Sequence, residues 1–375
     1  MRVTVRRRLF ILHSYLGIAA ASVLFVVAVS GAVLAFRSDL ERMLGPDIAW
    51  DGTGVVEWER IRDAARSARP DGRLQMLWFP TANRPYFTAA FAIGSREYTD
   101  PILFHPISGD RIRGPSAQWL DQIETLHENL NLGAFGAMLV RWSGPVLLLL
   151  LSSGTLLAWS GRRNVSLLSI SRGRRLWPDL HRVVGILATP CAILMIWTAA
   201  VWSFPDRVQP WIYALVGEPW TGEPDGDLWR LPSVVPATVP VEEIESAAGS
   251  VLIERAFELC GRNGRVDYLS FPIRSDENRQ VRILLSSEPG RYETPCVAYF
   301  DRYSGTLLAL ADPSRGWASR YLREWNERLH VGEVGGRWGR VLWFLSALGV
   351  AFLAASGIWL RLRRATRPAL FRRVK

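Results

Sequence analysis

The stretch Arg7-Arg8-Leu9-Phe10-Ile11-Leu12-His13-Ser14-Tyr15-Leu16-Gly17 returns later in the chain as Arg174-Arg175-Leu176-Trp177-Pro178-Asp179-Leu180-His181-Arg182-Val183-Val184-Gly185, with one extra residue after the arginines. Beyond the histidine the register is strict, since His13 to Ser30-Gly31 has the spacing of His181 to Thr198-Ala199. A second pair of windows matches without a gap. Leu126-His127, Gly133, Phe135-Gly136 and Ser153-Gly154 stand against Leu329-His330, Gly336, Trp338-Gly339 and Ser356-Gly357. The pattern reads as a tandem duplication in one orientation, whose halves are expected to be related by a pseudo-twofold axis along a membrane normal.

The membrane follows from where the apolar residues lie. They make up 49% of the 375 residues and gather into four blocks, expected as spans over 9–36, 138–159, 181–204 and 338–360. Each block supplies the twenty or so residues that cross about 30 Å of hydrocarbon. The first has the basic start and apolar core of a secretory signal, but its run is too long, and the same pattern recurs at the third block.

Arginine placement gives the orientation, because cytoplasmic loops close to spans carry the excess of positive charge. Residues 1–8 hold Arg2, Arg6, Arg7 and Arg8. The loop 160–180 holds Arg162, Arg163, Arg172, Arg174 and Arg175, and the tail 361–375 holds Arg361, Arg363, Arg364, Arg367, Arg372, Arg373 and Lys375. Both termini and that loop are therefore expected in the cytoplasm, and the long segments 37–137 and 205–337 on the other side. The net charge of +10 is accounted for largely by this topology, so it is poor evidence for nucleic-acid binding.

Each long segment ends in a phrase that reads as strand, turn, strand: Ile102-Leu103-Phe104-His105-Pro106-Ile107-Ser108-Gly109-Asp110, and Val297-Ala298-Tyr299-Phe300-Asp301-Arg302-Tyr303-Ser304-Gly305-Thr306. Helix-like stretches precede them over 55–68 and 241–259. The expected fold class is thus a membrane all-α four-helix bundle of two parallel two-helix repeats, carrying two small α+β domains, each with an interfacial helix leading into the next span. Of the three cysteines, Cys191 reads as a packing residue in a span. Cys260 and Cys296 share the second outer segment, where an oxidising compartment permits a disulfide.

Four of the five histidines are the repeat-matched His13, His127, His181 and His330. Ionisable side chains in or beside a bilayer are costly unless they are used. Twofold symmetry sets His13 opposite His181 on the cytoplasmic side and His127 opposite His330 at the outer side. Two facing imidazoles supply both axial ligands of a haem, whereas zinc or copper sites take more protein ligands. No Cys-x-x-Cys-His occurs, so two non-covalent b haems are expected. Gly17 and Gly185, one turn after their histidines, leave room for a macrocycle edge. Gly133, Gly136, Gly336 and Gly339 do the same at the outer pair, or break the helix there. A helix continuous from His127 to Ser153 would rise about 39 Å, which puts His127 and His330 at or just above the outer interface. Arg8 and Arg182 at the inner pair, and Arg328, Arg337 and Arg340 at the outer one, are candidates for holding carboxylates. The bland alternatives stand beside these: structural, capping or proton-relay histidines, and glycines that serve close helix contacts. His105 falls outside the matched set and reads as a turn residue.

These residues resemble the PepSY-associated transmembrane helix family, also described as iron-regulated membrane proteins, which includes membrane ferric-siderophore reductases. The resemblance rests on Leu12-His13-Ser14-Tyr15-Leu16-Gly17 with Val29-Ser30-Gly31, on Leu126-His127, on Leu180-His181-Arg182 with Gly185, and on the two PepSY-like phrases ending at Ser108-Gly109 and Ser304-Gly305. It implies a bacterial inner-membrane protein with two periplasmic PepSY-like domains, in which haem iron carries electrons from the cytoplasmic side to a ferric siderophore or other ferric chelate. No Gly-rich nucleotide fingerprint follows a strand, so the electron donor is expected to be separate, a soluble reductase or quinol. Two other classes remain open on the sequence: a PepSY-type binding or regulatory protein without a cofactor, and a transporter for iron, haem or a siderophore.

Overall fold

A computed structural model describes residues 3–52, 54, 56–81, 84–93, 101–112, 119–160, 168–220, 249–260, 265–271, 280–286, 296–301, 305–311 and 316–365. Arg162, Arg163, Arg302 to Ser304, the basic tail from 366 onward and residues 241–248 of the second expected helix lie outside them.

In chain order the first helices are α1 (Val3–Leu34), α2 (Arg37–Leu44), α3 (Trp58–Ala68), α4 (Trp119–Asn129), α5 (Gly133–Ser160) and α6 (Leu176–Ser203). They are followed by α7 (Pro205–Val216), α8 (Gly249–Cys260), α9 (Trp317–Arg320), α10 (Asn326–His330) and α11 (Gly336–Ala365). The strands are β1 (Arg73–Trp78), β2 (Phe87–Ala92), β3 (Ile102–Phe104), β4 (Arg111–Ile112), β5 (Arg265–Ser270), β6 (Gln280–Ser286), β7 (Cys296–Asp301) and β8 (Leu307–Ala311). These elements form two compact units, one of residues 1–37, 119–209 and 326–375, the other of 38–118 and 210–325.

The first unit is a bundle of the four helices long and apolar enough to cross a membrane, Val3–Leu34, Gly133–Ser160, Gly173–Ser203 and Glu333–Arg363. Helices α1 and α6 each pack against both α5 and α11. They are apolar around their whole circumference, as a lipid-facing helix must be, with Leu12, Tyr15, Leu149, Leu187 and Leu345 exposed. Small residues line the contacts: Ala28, Ala192 and Ala351 are buried together with Leu151 and Val350. At Gly349 an added Cβ would lie 3.3 Å from the Ala188 methyl, so the glycine sets the close approach of α11 to α6.

Of the two readings offered for the glycines between α4 and α5, the helix break is the one that occurs, and the continuous helix fails. The helix is not continuous from His127; it breaks at Leu130 and Asn131, both with left-handed backbone, and restarts at Gly133. A side chain at Gly136 would overlap the Asn129 carbonyl, so glycine is what lets the chain fold back there. Helix α4 therefore returns along α1 instead of extending α5, and His127 lies level with Val27 and Ser30 of α1. Arg37 anchors this return through Asp121 and, at 2.8 Å, Glu124.

The second unit also departs from expectation. The two outer segments do not build separate domains; their strands join in one antiparallel sheet of order β4-β3-β2-β1-β5-β6-β7-β8. The seam is β1 with β5, where Leu77 pairs with Leu269 and the bonds Phe79 N–H to Asp267 O and Phe271 N–H to Gln75 O mirror each other at 2.8 Å. Joining the halves satisfies two strand edges that separate domains would leave open. Helices α3 and α8 contribute Ile61, Ala65, Ala256 and Cys260 at i, i+4 spacing to a core with Leu77, Phe87, Phe104, Ile283 and Phe300. Cys260 and Cys296 form a disulfide linking α8 to β7. Both strand–turn–strand phrases close alike, His105 N–H to Asp110 O and Asp301 N–H to Thr306 O at 2.8 Å, with Gly109 and Gly305 at positive φ. His105 is that turn's residue, its Nδ1 accepting from the Ile107 and Ser108 amides.

Candidate functional site

The bundle brings the four matched histidines together in two pairs. His13 on α1 faces His181 on α6 with ring centroids 6.4 Å apart. His127 on α4 faces His330 on α10 at 6.3 Å. The pairs are separated along α1 by the rise from His13 to Ser30, about 25 Å. The first is called the terminal-end pair below, since α1 begins beside it, and the second the far-end pair.

The spacing has a chemical meaning. Two imidazoles bound from opposite sides to one metal ion, with metal–nitrogen bonds of about 2 Å and a five-membered ring radius of about 1.1 Å, have centroids about 6.3 Å apart. Both pairs meet that distance. Among the described residues there is no group of three or more His, Cys, Asp or Glu side chains able to hold a metal ion. Two protein ligands would leave a metal's remaining positions to a non-protein ligand.

A cavity of about 480 Å³ surrounds the terminal-end pair. Its size falls in the range of about 300–1,000 Å³ typical of cofactor pockets. Gly17, Gly154, Gly185 and Gly357 line it beside Leu150 and Leu353, three matched pairs from the two repeats. An added Cβ at Gly17 would reach only Leu150 Cδ2, at 3.7 Å, and at Gly185 only Leu353, at 3.6 Å at its nearest. Arg6, Arg175, Arg182 and Arg361 also line the cavity, whereas Arg8 does not. Arg182 is committed to a buried ion pair, donating to Asp179 at 2.7 Å and to the Ser169 carbonyl at 2.5 Å.

The far-end pair is more tightly enclosed. A Cβ on Gly31 would stand 2.8 Å from His127 Cε1, and the Trp202 ring lies 5.1 Å from that of His330. Burial holds both imidazoles below the usual histidine range; His330 is pulled down to about 4, with the neighbouring His127 contributing. Both rings are therefore neutral at pH 7, the form that binds metals. Gly133 and Gly336 sit at positive φ with open space about them, which makes them turn residues at the helix starts.

The sequence reading missed what holds the rings. His13 Nδ1 lies 2.8 Å from Ser153 Oγ, His181 Nδ1 2.7 Å from Ser356 Oγ, His127 Nδ1 3.1 Å from Ser30 Oγ, and His330 Nδ1 2.9 Å from Thr198 Oγ1. The signal was present in the matched dipeptides Ser30-Gly31, Thr198-Ala199, Ser153-Gly154 and Ser356-Gly357, which served only as register marks.

Four membrane-length helices with two facing histidine pairs define a multi-span membrane protein with buried imidazole sites at two depths. The chain belongs to the family of the PepSY-associated TM region, whose model matches residues 10–364. A search of curated proteins returns no match.

Proposed function

We propose that this protein is a di-haem membrane oxidoreductase that passes electrons from a donor on the cytoplasmic side to a periplasmic ferric chelate, most simply a ferric siderophore. The observation that carries the reading is the centroid spacing of both pairs, 6.4 and 6.3 Å, with no third protein ligand among the described residues. Bound haem iron supplies one-electron chemistry between its ferric and ferrous forms.

The chain's own residues do the rest. His13 with His181, and His127 with His330, would hold the two groups through their imidazole nitrogens. Gly17 and Gly185 keep the cavity open for a flat ligand, while Arg6, Arg175 and Arg361 offer cations at its wall for carboxylate groups. A soluble reductase or quinol loses the electrons, and each ferric ion outside gains one and becomes ferrous. Arginine placement supports a cytoplasmic loop and termini. The Cys260–Cys296 disulfide supports an oxidising compartment for the sheet.

Reconstitution into liposomes with reductant enclosed and a ferric chelate outside tests the reading. Ferrous iron, read by a colorimetric chelator, is expected to form outside, and His127→Ala is expected to abolish it. Equal chelate uptake with no reductant enclosed would instead mark a transporter, and an inert protein without cofactor a binding module.

A further inference from the structure

We infer that Ser30, Ser153, Thr198 and Ser356 are positioning residues that lock each paired histidine in the Nδ1–H tautomer, so that every Nε2 carries the lone pair and is presented as the ligand. The use of that lone pair rests on the haem reading above; the tautomer does not.

The hydroxyl protons decide the tautomer. A serine or threonine hydroxyl has one proton to donate. In all four residues it goes to a carbonyl of the same helix: Ser30 Oγ to Val26 O at 2.8 Å, Thr198 Oγ1 to Leu194 O at 2.9 Å, Ser153 Oγ to Leu150 O at 3.1 Å and Ser356 Oγ to Leu353 O at 3.3 Å. What each oxygen has left is a lone pair. With its proton directed to the carbonyl the oxygen accepts from the ring, which puts the hydrogen between hydroxyl and ring on the imidazole Nδ1. A backbone contact agrees. His127 Nδ1 lies 2.9 Å from the Val27 carbonyl. A carbonyl never donates, and the opposite tautomer would set two lone pairs against each other at 2.9 Å.

Each brace reaches across helices of one repeat. Ser153 on α5 holds His13 on α1, and Ser30 on α1 holds the His127 that precedes α5; Ser356 with His181 and Thr198 with His330 repeat the arrangement. A glycine follows three of the four hydroxyls and faces the braced ring, and Ala199 follows Thr198. An added Cβ would lie 2.8 Å from His127 Cε1 at Gly31, 3.2 Å from His13 Cε1 at Gly154 and 3.6 Å from His181 Cε1 at Gly357. The dipeptide thus combines a hydroxyl that fixes the ring's tautomer with a gap that admits it. Partners of this kind are worth about 10–100-fold in metal affinity elsewhere.

The test has two arms on the full-length protein in lipid nanodiscs. In the first, the cofactor-free protein labelled with ¹⁵N-histidine is examined by NMR at neutral pH. Four Nδ1–H imidazoles with unprotonated Nε2 are expected, and Ser153→Ala is expected to release His13 alone into a mixture of tautomers. An Nε2–H tautomer at the paired histidines of the unsubstituted protein, or no change in His13 on Ser153→Ala, would overturn the inference. In the second arm haem is titrated. Ser153→Ala is expected to weaken one of two sites by about 10–100-fold and to shift its midpoint potential, and Ser153→Thr to restore both, as Thr198 performs this role at the far end. Equal weakening by Thr and Ala would show a packing role and contradict the assignment. If no haem binds at all, the functional reading fails while the tautomer result still decides this inference.

Discussion

The terminal-end and far-end histidine pairs have nearly the same ring separation and the same hydroxyl brace, yet they sit in different surroundings. The first lies inside the span helices α1 and α6, in a cavity of about 480 Å³ kept open by four glycines. The second is delivered by the short helices α4 and α10, which fold back along the bundle. It is gripped by Gly31, Trp202 and the Val27 carbonyl. The difference teaches that ligand spacing and ligand space are set by separate parts of the sequence. The duplicated histidines and hydroxyls fix the first, and the local glycine and aromatic residues fix the second.

The largest expected effect breaks one pair and spares the other. His181→Ala removes the terminal-end haem and His330→Ala the far-end haem, each leaving half the absorbance of the reduced b-type bands, as quantitative visible spectroscopy will show. Loss of both haems from either change would mean that the sites are not independent. A partial effect separates the two environments. Gly31→Ala forces a methyl to 2.8 Å from His127 Cε1 and costs about 1–3 kcal/mol of overpacking. It is expected to lower far-end occupancy alone, while Gly17→Ala, with only Leu150 at 3.7 Å, is expected to leave the helix packing unchanged and to lower terminal-end occupancy by narrowing the cavity.

Acid sharpens the contrast further. His330 has its folded-state pKa depressed from 6.5 to about 4 by burial and by His127. The neutral ring's contribution is complete above 6.5 and is lost as pH falls toward 4, because the unfolded chain takes up the proton first. Thermal unfolding of the cofactor-free protein is expected to show that loss between pH 6.5 and 4, and His330→Gln to flatten it. The smallest effect on the sites comes from the disulfide. Replacing Cys260 and Cys296 by serine is expected to destabilise the sheet unit by about 2–4 kcal/mol in chemical unfolding, with both haem bands unchanged.

Much of this was legible in the sequence because duplication converts residue spacing into geometry. His13 to Ser30-Gly31 and His181 to Thr198-Ala199 share one spacing, so their side chains occupy matching positions on α1 and α6, and pairing across an axis follows. The four spans were legible from hydropathy, and the structure begins each of them more than a turn earlier while the other ends shift by less than a turn. Three features were not. The return of α4 depends on both Leu130 and Asn131 adopting left-handed backbone; asparagine favours that region, but leucine carries no such signal. The single sheet depends on β1 finding β5 nearly two hundred residues away, and alternating apolar patterns do not name their partners. The hydroxyl braces were hidden in plain dipeptides, because serine in a span helix more often bonds only its own backbone.

The most direct test of the account is the haem content of the purified full-length protein, measured as haem per polypeptide together with its reduced visible spectrum. The account predicts two non-covalent b-type haems per chain with low-spin, bis-histidine spectra. A protein supplied with adequate haem during expression that carries none, or carries a single haem untouched by substitution at His13, His127, His181 and His330, would contradict it.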